Sequence, residues 1–475
     1  MSGPGPYFLS SSSLLSTTNK GLALMGDKSL GRFLNEKFIN KSNFKLLNNN
    51  PKDLPSHLKK SIPNATRQFI EWLVGFTDAE GSFSIYVKNS AYLKFSIELH
   101  IDDIGILNKI AQTLDIGRVT KINHRNSAIF YVINLEDITR VIIPIFQEFP
   151  LQTSKYLDFT CLLQAAQIIS KSSVGVRGGK KISATDLTKI EKLKGTMNSK
   201  RQVLDKKQEY SLKDKISINM WWLLGFVEGE GTFGYKHLVP YFQIAQHEKN
   251  LFVLNAIERY LSNIFKNFSD NSHEFKVRYT LNKGTGVYSM TVEKIEPLFS
   301  NIVPFFESME FFTRKYVDFH YWVLSVVIHR FGYFYLPEGK KIALQISSAT
   351  NKNRYSTKKL NKTELASPQG SAELPSVEAI SKLLALQPPF DITRGRSHFE
   401  MIREFTISKG GRKGFIVYVY DRESEGNKEL IGSPFSTYGA GHEALGLRRG
   451  SRVIGRYIDT GKAYKDKYIF SSIPL

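Results

Sequence analysis

Two carboxylates stand out by their setting. Glu80 and Glu230 lie 150 residues apart, and each is followed by glycine. Each closes a stretch of similar sequence, Phe69-Ile-Glu-Trp-Leu-Val-Gly-Phe-Thr-Asp-Ala-Glu-Gly-Ser-Phe83 and Asn219-Met-Trp-Trp-Leu-Leu-Gly-Phe-Val-Glu-Gly-Glu-Gly-Thr-Phe233. A carboxylate at a helix C-terminus faces the negative pole of the macrodipole, and two such groups brought together repel. Hard divalent cations take oxygen ligands and reverse that sign. Two carboxylates with backbone carbonyls and phosphate oxygens are thus a setting for Mg²⁺ against a phosphodiester. A second landmark recurs in the same order: Ile143-Pro-Ile-Phe and Lys155-Tyr-Leu-Asp-Phe159 are echoed by Val303-Pro-Phe-Phe and Lys315-Tyr-Val-Asp-Phe319. The distance from Pro144 to Lys155 equals that from Pro304 to Lys315, so the chain holds two copies of one fold unit.

The elements that must position these groups follow from periodicity. A helix ends at each Glu-Gly pair, and the glycine suits a left-handed residue just beyond a helix. Phe83, Ile85 and Val87 then alternate with Ser82, Ser84 and Tyr86, which is strand periodicity. A second strand is predicted over 93–99 and 241–246. Ile104, Leu107, Ile110 and Leu114 fall at helical spacing, as do Leu251, Leu254, Ile257 and Leu261. Hairpin turns are predicted near His124-Arg-Asn126 and Asn282-Lys-Gly284, and closing helices over 157–169 and 317–328. The unit is α-β-β-α-β-β-α, an α+β arrangement whose sheet has one face free for a ligand. Small residues four apart, Gly75 and Ala79 in one motif helix and Gly225 and Gly229 in the other, let the two helices meet almost backbone to backbone. They would pack about a pseudo-twofold axis.

Leu73-Val-Gly-Phe-Thr-Asp-Ala-Glu-Gly81 and Leu223-Leu-Gly-Phe-Val-Glu-Gly-Glu-Gly231 resemble the LAGLIDADG motif of intron-encoded homing endonucleases. The resemblance covers roughly residues 65–330. It implies a saddle of two antiparallel sheets along DNA and hydrolysis of both strands of a long, asymmetric target, with short 3′ overhangs. It implies Glu80 and Glu230 as metal ligands, with the carbonyls of Ala79 and Gly229 beside them, and two or three divalent ions shared between the carboxylates. Asp78 and Glu228 take the motif's first acidic position, which is more often structural. Lys155 and Lys315 match the family's basic active-site residue and could stabilise charge on the phosphate. Gln246, in Phe242-Gln-Ile-Ala-Gln246, matches a glutamine that positions solvent; the first copy reads Phe95-Ser-Ile-Glu-Leu99, with leucine there. The half-sites are therefore chemically unequal. Two alternatives stay open: an RNA maturase acting on its host intron RNA, and a DNA-binding protein without catalysis.

Charge supports a polyanionic partner. The chain carries 65 Lys+Arg against 44 Asp+Glu, a net +21, and basic surfaces gain by releasing counterions from phosphates. Cys161 is the single cysteine, which excludes an intramolecular disulfide and a cysteine zinc site within one chain, and weakly suggests a reducing compartment. No run of eighteen apolar residues occurs, which predicts no membrane span. Residues 1–64 are read as a flexible extension, without the pattern of an Arg-rich transit peptide. The repeats are assigned to 65–170 and 219–335. The linker 171–218 between them holds 13 Lys+Arg against 5 Asp+Glu, with a short helix from Ala184. Residues 336–410 are read as a mobile connector. The tail, 411–475, is read as a β-rich run over 415–420, a helix over 436–446, a turn, a helix over 451–458 and a basic strand over 462–470. It resembles the helix-turn-helix module appended to homing endonucleases, which makes Arg452, Arg456 and Lys462 candidate DNA contacts. Richness in Lys, Asn, Ile, Phe and Tyr suits AT-rich organelle coding, and the family resemblance makes a mitochondrion the expected setting. A monomer with an internal pseudo-twofold is expected, bound to double-stranded DNA.

Overall fold

A computed structural model describes residues 34, 53–174, 180–201, 203–268, 275–350, 374–389, 417–422, 428–430, 432–448 and 450–471. They fall into two compact units, Met1–Pro388 and Pro389–Leu475.

In the first copy a short helix, α1 (Ser56–Ser61), precedes the motif helix α2 (Arg67–Glu80). Thr66 starts α2 by accepting a hydrogen bond from Phe69 N at 3.1 Å, satisfying one of the free N–H groups of the first turn. Strands β1 (Gly81–Val87) and β2 (Ala91–His100) form a hairpin, with Phe83 paired to Phe95. Then follow α3 (Ile104–Leu114), β3 (Arg118–Ile122) and β4 (Ser127–Val132). The sheet order is β1-β2-β4-β3, all antiparallel. A helical stretch, α4, runs from Leu135 to Glu148, and α5 (Lys155–Lys171) closes the copy.

Two linker helices, α6 (Ala184–Gly195) and α7 (Lys206–Lys215), lead into the second motif helix, α8 (Met220–Glu230). The second copy repeats the plan with β5 (Gly231–Lys236), β6 (Val239–His247), α9 (Leu251–Phe268), β7 (Arg278–Asn282) and β8 (Val287–Val292). It continues with α10, from Ile295 to Glu307, and α11 (Lys315–Arg330). Its sheet has the matching order β5-β6-β8-β7, and Phe233 faces Phe242 as Phe83 faces Phe95.

The α4 and α10 stretches were not expected between the second hairpin and the closing helix. Each contains a π turn, Ile138–Ile142 or Leu298–Ile302, one residue before the proline landmark. Proline cannot donate to the preceding turn and its ring crowds the carbonyl four residues back, so a wider turn relieves it. That widening also breaks the 3.6-residue period by which a helix is read.

Two segments expected to be unstructured are packed. Around α1, Leu54, Leu58 and Ile62 are buried in the main core, so the described residues from 53 onward do not belong to a flexible extension. In the segment read as a connector, α12 (Pro337–Ala349) and α13 (Val377–Ala385) bury Ile342, Ile346, Ile380, Leu383 and Leu384 in that core. Residues 1–33, 35–52, 351–373 and 390–410 of these segments lie outside the described residues.

The motif helices α2 and α8 are buried along nearly their whole length, because each packs on the other. A Cβ built on Gly75 would stand 1.9 Å from the Trp222 carbonyl oxygen, and one on Gly225 would stand 2.0 Å from that of Trp72. The expected backbone-to-backbone approach is present at these two positions, reciprocally. The following glycines act differently from expectation. Gly81 and Gly231 are extended (φ −74°), not left-handed, and begin strands. Their constraint is steric: a Cβ on Gly81 would lie 2.4 Å from Thr77 Cγ2, and one on Gly231 2.6 Å from Val227 Cγ1. Glycine lets the chain turn from helix into strand without striking the last turn.

The second unit is a three-stranded sheet, β9 (Tyr418–Asp421), β10 (Lys428–Glu429) and β11 (Tyr468–Ser471), in the order β10-β9-β11. Two helices, α14 (Tyr438–Ala444) and α15 (Val453–Tyr457), pack with it around Val417, Val419, Ile454 and Phe470. His442 ties the helices together, its Nε2 accepting from Ile454 N at 3.1 Å. Both helices are shorter than expected, and residues 415–416 of the expected β run lie outside the described residues. The strand expected from Lys462 begins only at Tyr468, after a turn in which Lys465 and Asp466 have positive φ.

Gly75→Ala should lower stability by about 3 kcal/mol or more, since the new methyl meets backbone that cannot move aside. Gly105→Ala, on α3 with nothing within 4 Å of its Cβ position, should be neutral or slightly stabilising. Denaturant unfolding of the full chain distinguishes these outcomes, and equal stability of the two variants would contradict the close approach.

Candidate active site

The C-terminal ends of α2 and α8 open into one cavity of about 730 Å³, whose lining includes Glu80, Asp103, Glu230 and Lys315. Burial pushes the Glu80 carboxyl up; Lys155 and Lys315 pull it down, and Asp103 raises it further. Burial and then the neighbouring Glu80 push Glu230 up, against Lys155, a hydrogen bond from Gln246, and Lys315. Two partly buried carboxylates thus face each other in a low-dielectric pocket, an arrangement that favours cations.

The lysines come from the first residues of α5 and α11. Lys155 Nζ donates to the carbonyls of Thr77 (3.2 Å) and Ala79 (2.7 Å). Lys315 Nζ donates to those of Val227 (3.0 Å), Gly229 (3.3 Å) and Gly231 (2.7 Å). Thr77 and Val227 already accept from Gly81 N and Gly231 N, so each ammonium adds to that bond, caps the Ala79 or Gly229 carbonyl, and complements the negative pole of its helix dipole. The carbonyls of Ala79 and Gly229, expected beside a metal, here accept from these lysines. Burial depresses the Lys155 pKa, opposed by Asp78, Glu80, Glu230 and Asp158.

The first acidic position of each motif explains how the lysines are aimed. Asp78 accepts from Gln152 N (2.7 Å), Thr153 N (3.0 Å) and Thr153 Oγ1 (2.6 Å), which lie just before Lys155. Glu228 accepts from Phe312 N (2.8 Å) and Thr313 N (3.1 Å), just before Lys315. Each acid is also tied to the other copy: Trp72 Nε1 donates to Glu228 at 2.6 Å, and Trp222 Nε1 to Asp78 at 2.9 Å. Both indoles stack on the phenylalanine one turn later, at 4.8 Å and 15° in each copy. Burial raises the Asp78 pKa and lifts Glu228 to about 7, against these donors.

Gln246 belongs to a hydrogen-bonded chain. Ser154 N donates to Asn250 Oδ1 (3.0 Å), Asn250 Nδ2 donates to Gln246 Oε1 (2.9 Å), and Gln246 bonds Glu230. The corresponding positions of the first copy hold Leu99 and Asp103, with Arg314 in the place of Ser154. Glu80, Glu230, Lys155, Lys315 and Gln246 are therefore brought together at one place. Arg452, Arg456 and Lys462 are exposed on the second unit, with Arg452 just before α15 rather than within it. Sequence reasoning missed Trp72, Trp222, Asn250 and Asp103. The signal for the tryptophans was their identical offset, six residues before Asp78 and Glu228.

Two α+β repeats packed through glycine-marked helices, with paired carboxylates and lysines where those helices end, define the fold class of double-motif meganucleases. Residues 73–166 and 223–326 match the LAGLIDADG endonuclease family model. Both repeats, each through its motif helix and closing helix, thus carry the likeness to LAGLIDADG endonucleases. It is 26% identical over 427 residues to the uncharacterized mitochondrial protein RF1 of Saccharomyces cerevisiae, spanning 86% of this chain and 82% of that one. It is 30% identical over 208 residues to the probable intron-encoded endonuclease Cox1-I1b of Schizosaccharomyces pombe, spanning 42% of this chain and about half of that relative (48%). Among solved structures, the LAGLIDADG homing endonuclease I-LtrWI, bound to its target DNA, shares the fold with a TM-score of 0.50 at 21% identity, over 61% of this chain and 99% of that one.

Glu228 has a folded-state pKa of about 7 against an ordinary 4.5, so between those values it holds a proton in the folded chain alone. The stability it contributes is full below about 4.5 and is lost as pH rises through about 7. Trp72→Phe removes a donor to the ionised form, a hydrogen bond worth roughly 1.5–3 kcal/mol when charged. The variant should therefore lose more stability at pH 8 than at pH 5, beyond a pH-independent loss of packing. Denaturant unfolding at both pH values checks this; an equal loss at the two would refute the role of the Trp72–Glu228 bond.

Proposed function

We propose that the protein is a site-specific homing endonuclease that hydrolyses both strands of a long double-stranded DNA target with divalent metal and so mediates intron mobility. The observation that carries this reading is the meeting of Glu80 and Glu230 in one cavity at the ends of two mutually packed helices, with a lysine beside each. The family and the relatives described as intron-encoded endonucleases support it. The net charge of +21 suits a polyphosphate partner.

The donor set fits a hard divalent cation, because it is made of carboxylate and carbonyl oxygens. Among the described residues no group of three or more His, Cys, Asp or Glu could hold a metal alone, so phosphate oxygens of the bound strand would complete the ligands. Glu80 and Glu230 would hold Mg²⁺, with the carbonyls of Ala79 and Gly229 alongside. When bound, the ions supply Lewis-acid stabilisation of phosphoryl charge and a more acidic water. The chain's own groups do the rest. Lys155 and Lys315 are fixed by backbone carbonyls close to the carboxylates and offer positive charge to the pentavalent phosphate. Gln246, buried and oriented by Asn250, hydrogen-bonds Glu230 and would help position water beside that carboxylate.

The sheet faces turned away from the helices carry Ser84, Tyr86, Tyr92 and Lys94 in the first copy and Tyr241 and Gln243 in the second, groups suited to base edges and phosphates. The second unit would add contacts through Arg452, Arg456 and Lys462, in the manner of a helix-turn-helix module. The protein would act as a monomer, in a mitochondrion, in keeping with its mitochondrial yeast relative.

Incubating the protein with a plasmid carrying the intron-free insertion site should yield linear DNA with Mg²⁺ and none with EDTA. Glu80→Gln and Glu230→Gln should each reduce cutting by about a hundredfold or more while retaining binding. Tight binding without cutting by the parent would overturn the enzyme and favour a DNA-binding or splicing role.

A further inference from the structure

The two halves of the cavity differ at three positions that lie together. Beside Glu230 stand Gln246 and Asn250, held by the backbone of Ser154 through bonds of 2.9 and 3.0 Å. Beside Glu80 stand Leu99 and Asp103, both lining the cavity, with Arg314 next to Asp103. Leu99 offers no polar atom. Asp103 is buried, yet its charge reaches Glu80 and raises it. Arg314 Nη1 donates to the Asp102 carbonyl at 2.9 Å and lies 3.9 Å from Asp103 Oδ1.

These exchanges compensate one another. Leu99 leaves no polar side chain at the glutamine's position beside Glu80; aspartate where the other half has asparagine puts a second carboxylate oxygen where that half has an amide N–H₂. A second carboxylate near Glu80 is unfavourable by itself, and a neutral asparagine would have avoided that repulsion. Arginine in place of serine supplies the offsetting positive charge.

Resting on the endonuclease reading above, we propose that Asp103, steadied by Arg314, replaces the glutamine missing at position 99 and orients the attacking water in the half-site of Glu80. The two strands are then cut by different side chains, Glu80 with Asp103 on one and Glu230 with Gln246 and Asn250 on the other. Asp103 accepts a hydrogen bond from the water; it is a positioning residue.

The test is cleavage of a duplex target with each strand separately labelled, so that two rates are read from one reaction. Asp103→Asn should slow one strand by about tenfold or more and leave the other within about twofold, so that nicked duplex accumulates. Gln246→Leu should slow the opposite strand. The double variant Leu99→Gln with Asp103→Asn transplants the second half-site's pair and should recover the slowed strand. Asp103→Asn slowing both strands equally, or neither, would overturn the proposal, as would failure of the double variant to recover. If the parent cuts neither strand, the endonuclease reading falls, and this assignment with it.

Discussion

The structure depends on how closely two helices approach. At Gly75 and Gly225 the backbone of each motif helix meets a carbonyl of the other, leaving no room even for a methyl group. Helices at ordinary spacing, about 8–10 Å between axes, would hold their C-terminal carboxylates apart. Brought together here, they converge Glu80 and Glu230 on one cavity, and every other feature of the site answers a problem that this convergence creates.

One problem is charge. Each helix end presents open carbonyls and a glutamate, and the ends point the same way. Lys155 and Lys315 answer it by donating to the carbonyls of the last turn. They are aimed by the loops that precede them, and those loops are pinned by Asp78 and Glu228. The same two acids accept from a tryptophan of the opposite copy, so the bonds that aim the lysines also lock the copies together. Packing, orientation and electrostatics are thus joined through four side chains. The duplication has not kept the halves equal, however. Gln246 and Asn250 accompany Glu230, whereas Leu99 and Asp103 accompany Glu80.

Much of this was legible in the sequence because duplication places two independent readings of one unit in the same chain. The strand pairs, the hairpins, the glycine-marked helices and the Pro-to-Lys landmark follow from period and repetition. Other features were hidden for physical reasons. The α4 and α10 stretches are interrupted by a π turn and a proline, which destroys the helical period. The reason for Gly81 was misread, because a glycine after a helix serves equally for a left-handed cap or for a turn into a strand. Asp103 and Asn250 could not be paired with the site from spacing alone: their meaning appears only once the strand and the helix after it are seen to bend into the cavity. The tryptophan–acid bonds cross 144 and 156 residues of chain, a distance over which no local pattern speaks.

We propose that Glu80 and Glu230 hold one shared metal centre rather than two separate ones. Electron paramagnetic resonance of Mn²⁺ added to the protein–DNA complex tests it most directly. A shared centre gives a spin-coupled spectrum from neighbouring ions that is lost in either single Glu→Gln variant. Uncoupled Mn²⁺ signals, or a coupled spectrum that survives removal of one carboxylate, would contradict it.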